Sequence, residues 1–289
     1  MNQDKNLTAD ETFALAAQAH QKNNLDDAQD LYKQVLKINS KYFMALNNLG
    51  VIYKNLKNYQ KAQECFEKAV EINPNYSDAH NNLGTLFDIL GEIQKQITAY
   101  EEVIRIDPNY VEAHNNLGIA YSNLEDNKKA KECYEKAIKI DPNYADCYFN
   151  LGVLFEKLGE PQKAASCYEN TTKMDPNNGK ACNNLGVIFQ GLGEYQKAKD
   201  YFEKAIKIDP DHANAYYNYG VTFKSLGEIQ KAKSYLEKSF SKDSTNKKYL
   251  GAYGDLLIKM NDHSNGLKFL KKSEGVIRFS QSNFKIIKQ

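Results

Sequence analysis

The sequence predicts an all-α chain built from about eight copies of one helix–turn–helix unit, on three observations. Asn-Leu-Gly or Asn-Tyr-Gly begins at Asn48, Asn82, Asn116, Asn150, Asn184 and Asn218, a spacing of 34 residues. Five of the six prolines, Pro74, Pro108, Pro142, Pro176 and Pro210, keep the same period. Inside each period the apolar residues fall into two stripes with helical spacing.

The period divides the chain into a polar segment at 1–8 and units at 9–42, 43–76, 77–110, 111–144, 145–178, 179–212 and 213–246. A degenerate unit at 247–280 follows. Positions are numbered here from 1 within each unit, so the triplet Gly is position 8. Unit 43–76 carries its first stripe at Ala45, Leu46, Leu49, Gly50, Ile52, Tyr53 and Leu56 (positions 3, 4, 7, 8, 10, 11 and 14). Its second stripe is Tyr59, Ala62, Cys65, Phe66, Ala69 and Val70 (positions 17, 20, 23, 24, 27 and 28). Position 15 is Gly91, Gly159, Gly193 or Gly227, as suits a left-handed helix end. Pro161 stands where a second helix starts. Asp107-Pro108-Asn109 stops a second helix and turns the chain into the next unit. Gly at position 8 and Ala at position 20 leave little between the two backbones. Unit 77–110 departs, with Gln96 at position 20 and Val103 at position 27, and an altered helix crossing is expected there.

After 275 the style changes. Val276-Ile277-Arg278-Phe279 and Phe284-Lys285-Ile286-Ile287 read as two short strands around a polar turn. This tail, 276–289, is expected to be non-helical and to cap the array, pair with a second copy or begin a further domain.

Composition excludes several function classes. The formal net charge is +1, and only two of the 38 basic residues are Arg. Neither a charge field nor bidentate guanidinium reading points to nucleic acid. No apolar run is long enough for a membrane span, so neither nucleic acid nor membrane is expected as a partner, and a cytoplasmic protein is. Cys65, Cys133 and Cys167 share position 23, which is packing periodicity rather than a disulfide framework. His80 and His114 share position 4 and read as substituted core aromatics. Cys147, Cys167 and Cys182 lack metal-ligand spacing. No catalytic group, metal site or cofactor is expected.

The combined pattern resembles the tetratricopeptide repeat: Leu/Tyr-Gly at 7–8, an aromatic at 11, Ala at 20 and 27, an aromatic at 24 in most units, and Pro at 32. The Trp usual at position 4 is replaced by Leu46, His80, His114, Tyr148, Cys182 and Tyr216. The resemblance implies a right-handed α-solenoid, a superhelix whose first helices line a concave groove through positions 2, 5, 6, 9, 12 and 13. Position 6 is then a column of Asn48, Asn82, Asn116, Asn150, Asn184 and Asn218. Position 5 adds Asn47, Asn81, Asn115 and Asn183, interrupted by Phe149 and Tyr217. Primary amides carry donors and an acceptor and suit the backbone of an extended peptide. The array looks like the Asn-lined superhelix of O-GlcNAc transferases and related O-fucosyltransferases. Asn at position 6 is also common in these repeats generally, which leaves a packing role open. The family's clamp for carboxylate tails needs Asn at position 9, where Val51, Thr85, Ile119, Val153, Val187 and Val221 stand. The expectation is a scaffold that takes a protein or peptide in its groove. A substrate-recruiting arm of a larger glycosyltransferase or iron-dependent oxygenase, and an array that self-associates through its terminal units, are the alternatives.

Overall fold

A computed structural model describes residues 7–279 and 284–288 of the chain. It forms two compact units, Met1–Cys147 and Tyr148–Gln289. The first holds α1 (Ala9–Gln21), α2 (Leu25–Ile38), α3 (Phe43–Asn55), α4 (Tyr59–Ile72), α5 (Ser77–Leu90), α6 (Ile93–Ile106), α7 (Val111–Asn123) and α8 (Asn127–Ile140), and it ends in the first turn of α9 (Ala145–Lys157). The second holds the rest of α9, then α10 (Pro161–Met174), α11 (Gly179–Gly191), α12 (Tyr195–Ile208), α13 (Ala213–Ser225), α14 (Ile229–Lys242), α15 (Lys247–Lys259) and α16 (His263–Glu274). The 34-residue period therefore yields sixteen helices among the described residues. The two helices of a repeat pack together, as α3 with α4 and α11 with α12, and second helices pack on the first helix that follows, as α4 on α5 and α12 on α13.

The tight helix pairing has a specific cause. A Cβ added at Gly118 would lie 2.6 Å from the Tyr134 ring, so position 8 must be bare for the position-24 ring to lie across it. The same holds for Gly50 under Phe66 and Gly186 under Phe202. Beside this contact the position-20 alanines Ala62, Ala130, Ala198 and Ala232 are fully buried. Gln96 occupies that alanine position in α6. It is 3% exposed, and its Nε2 donates to Asp88 Oδ1 at 3.1 Å. The unit expected to be disturbed thus keeps its buried amide bonded, and Gly84 still sits against Tyr100.

The turns follow the sequence reading and extend it. Position 15 is left-handed in every repeat: Gly91, Gly159, Gly193 and Gly227 have φ of +72 to +77°, and Asn23, Lys57, Glu125 and Asn261 have φ of +59 to +64°. Asp107 Oδ1 accepts from Asn109 N at 3.0 Å, and Asp141, Asp175 and Asp209 accept from the second residue after them in the same way. Lys at position 19 lies over the position-11 ring, as with Lys129 4.9 Å from the Tyr121 centroid, and Lys129 also pairs with Asp126 three residues before it. This shields a half-buried aromatic edge from water.

One expectation needs correcting. Leu at position 14 was assigned to the first buried stripe. Leu56, Leu90, Leu124, Leu158, Leu192 and Leu226 are instead exposed. Position 14 lies at the end of the first helix, and the left-handed residue after it turns the chain away before the leucine reaches the core.

At the C-terminus β1 (Gly275–Phe279) and β2 (Phe284–Lys288) pair antiparallel, with Ile277 opposite Ile286. The expected turn at 280–283 and most of the polar segment 1–8 lie outside the described residues.

Candidate functional site

In the first unit α3 contacts α5, and in the second α11 contacts α13 and α13 contacts α15, so successive first helices share a face. The Asn columns lie along these contacts. Asn47, Asn115 and Asn183 at position 5 are 4–8% exposed, and the position-6 asparagines are half-buried. Both columns are engaged inside the protein. The position-5 amide donates to its neighbour: Asn47 to Asn48, Asn115 to Asn116 and Asn183 to Asn184, each at 3.3 Å.

The position-6 amides take different partners after Tyr and after Phe at position 24 of the preceding repeat. After Tyr32, Asn48 Nδ2 donates to the phenol hydroxyl at 3.1 Å. Burial raises the phenols of Tyr100 and Tyr168, which Asn116 and Asn184 partly offset, and the Tyr168 hydroxyl donates to Glu156 Oε2. Where position 24 is Phe, no hydroxyl is offered, and the amide reaches back one repeat along the first helices. Asn82 donates to Asn47 Oδ1 at 2.9 Å after Phe66, and Asn218 to Asn183 Oδ1 at 3.0 Å after Phe202. Asn81 Oδ1 is buried and has no partner. Its geometric counterpart one repeat on, Asn116, accepts from Asn115 instead. Asn150 is half-buried at the start of the second unit.

The two aromatic interruptions are also packed. Phe149 lies 5.5 Å from the Tyr168 ring. Tyr217 lies 5.3 Å from Tyr249, with Lys248 Nζ 4.4 Å from its centroid. Burial, followed by Asp255, raises the Tyr217 phenol. Replacing Asn116, Phe149 or Tyr217 would therefore reach the fold as well as any ligand.

The columns expected to be the site are thus partly consumed by repeat-to-repeat bonding, and the accessible strip is their neighbour at position 9. In the first unit this is Val51, Thr85 and Ile119, each half-buried. In the second it is Val153 (43% exposed), Val187 (37%) and half-buried Val221. Every residue in this column is β-branched, and apolar side chains stand open on a helix face whose next turn carries polar residues such as Gln190 and Lys224. Lys54 Nζ crosses from α3 to Thr85 Oγ1 at 3.1 Å, and its burial lowers the ammonium pKa. The signal was present in the sequence: the lack of Asn at position 9 excluded the carboxylate clamp, and five of the six residues there are apolar.

The remaining candidates are held by packing and local bonds. His80 and His114 each direct Nε2 to a proline carbonyl, Pro74 O and Pro108 O, at 3.0 Å, so they fasten the inter-repeat turn. Burial pushes the thiols of Cys65, Cys133 and Cys167 up to about 11, which keeps them protonated and unreactive. Among the described residues no group of three His, Cys, Asp or Glu is arranged to hold a metal ion. None of the described helices is long and apolar enough to cross a membrane.

Comparison with known proteins agrees with this architecture. One tetratricopeptide repeat profile matches residues 43–76, 111–144 and 179–212, a second matches 65–98, 133–165 and 201–234, and a third, described as a TPR repeat, matches 89–125. Similar solved structures include pilF of Pseudomonas aeruginosa, 20% identical with a TM-score of 0.65 over 72% of this chain and 94% of that one. YrrB, described as a TPR protein with an unusual peptide-binding site, is 26% identical with a TM-score of 0.54 over 65% of this chain and 96% of its own. MamA is 27% identical with a TM-score of 0.52 over 60% of this chain and 94% of its own. No curated protein sequence matches the chain.

Proposed function

The chain belongs to the tetratricopeptide repeat family, and from that premise we propose that it is a scaffold whose first helices take an extended segment of a partner protein along the position-9 strip. The observation that carries this reading is the exposure of Val153 on α9 and Val187 on α11 at the same position of successive repeats. An apolar column there gains by being covered, at roughly 25 cal/mol per Å² of apolar area removed from water. The flanking position-6 asparagines add polarity at fixed intervals. In the second unit the primary amide of Asn218 has two N–H groups, and the bond described above uses one. A segment lying along the strip there would bury apolar side chains on the valines and offer a carbonyl to the other.

YrrB, described as having a peptide-binding site, supports the class of ligand. The likeness to Asn-lined transferase arrays rests on the Asn column alone, and that column has a structural explanation in the bonding to position 24. A recruiting arm for an enzyme therefore gains no specific support.

The test is selection from a random peptide display library on the intact chain, with counter-selection on Val153→Glu/Val187→Glu. Both sites are exposed, so the variant should keep the helical circular dichroism of the parent. Peptides enriched on the parent and lost on the variant support the strip. Peptides retained equally by both would overturn it.

A further inference from the structure

A second site lies away from the position-9 strip and does not depend on it. In the first unit a cavity of about 350 Å³ opens between α4, α5 and α6, lined by Leu83, Phe87, Ala99, Glu67, His80 and Lys95 among others. Its cause is one residue. Position 23 is Cys65, Cys133, Cys167, Tyr201 or Tyr235 in the other central repeats, and Ala99 only here.

The chain itself shows what fills such a place. In the second unit Tyr201 at position 23 stacks on Phe189 at position 11, with centroids 5.5 Å apart and planes 6° apart. Tyr235 stacks on Phe223 at 5.4 Å and 21°. Over each phenylalanine stands the position-19 lysine, Lys197 at 5.0 Å and Lys231 at 5.2 Å. The position-25 glutamate of the preceding repeat acts on each tyrosine through its charge, while Glu203 itself accepts from the Tyr219 hydroxyl. Burial raises the Tyr201 phenol first and Glu169 next, and Glu203 follows burial in the same way for Tyr235.

Three of these four parts are present around the cavity. Phe87 is the position-11 ring, Lys95 stands 5.3 Å over it, and Glu67 is the position-25 carboxylate of the preceding repeat. Only the tyrosine is missing. We propose that this cavity is a docking pocket for a tyrosine side chain presented by a partner protein, its ring lying on Phe87 and its hydroxyl donating to Glu67. Glu67 Oε1 accepts from Gln63 at 2.8 Å, which holds the carboxylate at the rim. The shape selects an aromatic ring, and the carboxylate selects phenol over phenyl.

The probe is p-cresol, titrated to millimolar concentration into isotope-labelled full-length chain, with the methyl groups of Leu83 and Ala99 as reporters. Saturable shifts at these methyls are expected. In Ala99→Tyr the internal ring fills the space, and shifts at Leu83 should weaken at least about tenfold. Ala99→Cys copies three sister repeats, should fold as they do, and should weaken binding to an intermediate degree. Toluene should bind roughly 3- to 10-fold less tightly than p-cresol, and Glu67→Gln should shrink that difference. The tripeptide Ac-Gly-Tyr-Gly-NH2 should displace p-cresol, and Ac-Gly-Leu-Gly-NH2 should not. Absence of saturation, equal binding by parent and Ala99→Cys, or equal displacement by the two peptides would overturn the proposal. Self-association of the parent that is lost in Ala99→Cys would also overturn it, because the tyrosine would then come from a second copy.

Discussion

Asn47→Ala separates a structural role of the asparagine columns from a purely ligand-binding one. Asn47 is 5% exposed, accepts from Asn82 at 2.9 Å and donates to Asn48 at 3.3 Å. Removing it deletes both bonds. Asn82 has no fallback, because position 24 of the preceding repeat is Phe66. Two net hydrogen bonds at about 0.5–1.5 kcal/mol each, with a half-buried N–H left unpaired, give a loss of about 2–3 kcal/mol. Better helix propensity returns up to ~0.7 kcal/mol, so about 2 kcal/mol should remain. Urea unfolding would measure it. Because each repeat touches only its neighbours, loss of amide-exchange protection should concentrate in 43–110. The decisive arm is the double variant Asn47→Ala/Phe66→Tyr. Phe66 occupies the place of Tyr32, whose hydroxyl meets Asn48 at 3.1 Å, so the new hydroxyl should take over Asn82 and recover about 1 kcal/mol. A single-variant cost below about 0.5 kcal/mol, with no coupling to Phe66→Tyr, would refute the assignment of these amides to repeat-to-repeat bonding.

Three further outcomes follow from the same geometry. Lys57→Gly relieves a left-handed residue at φ +60° and should stabilise by roughly 1 kcal/mol in urea unfolding, part of the 1–2 kcal/mol penalty being returned as unfolded-chain entropy. Gly118→Ala puts a methyl 2.6 Å from the Tyr134 ring and should destabilise by about 1–3 kcal/mol, read as a lower urea midpoint at unchanged slope. The raised thiols at about 11 and the Tyr76, Tyr121 and Tyr144 phenols at about 12 bind protons more tightly folded than unfolded, so their contribution is intact below about pH 9 and falls as pH rises through 9–12. A urea midpoint that stays flat from pH 8 to 11 would contradict that sign.

The fold was legible because its determinants are local and repeat. Gly118 and Tyr134 stand sixteen residues apart in every copy of the pattern, and one steric contact explains both. Position 15 was only half legible. Glycine at Gly91 or Gly193 announces a left-handed turn, whereas Lys57 and Glu125 adopt the same backbone without announcing it, since the neighbouring repeats impose the turn. The exposure of Leu56 and its five counterparts was missed because helical spacing continues to position 14 in sequence after the helix has ended in space. The candidate site was harder to read for a different reason. An asparagine column looks the same whether its amides face a ligand or each other, and the choice depends on a residue 16 positions back that belongs to another helix.

That dependence changes what the repeated asparagine means. If the column existed to grip a ligand, its amides would need the same orientation in every repeat, and the identity of position 24 would be irrelevant to them. Instead Asn48 donates to the Tyr32 hydroxyl on the second helix, whereas Asn82 and Asn218, which follow Phe66 and Phe202, donate along the first helices. The amide that remains for a ligand therefore points differently from one repeat to the next. In the second unit a partner segment on the proposed site would meet the apolar Val153, Val187 and Val221, flanked by polar groups that vary with the residue at position 24. On that reading affinity would reside in the valines and selectivity in the polar groups beside them. Tyr168→Phe should change which peptides the chain prefers while leaving the strip itself intact. A peptide selection profile identical to the parent's would show that the pattern carries no selectivity.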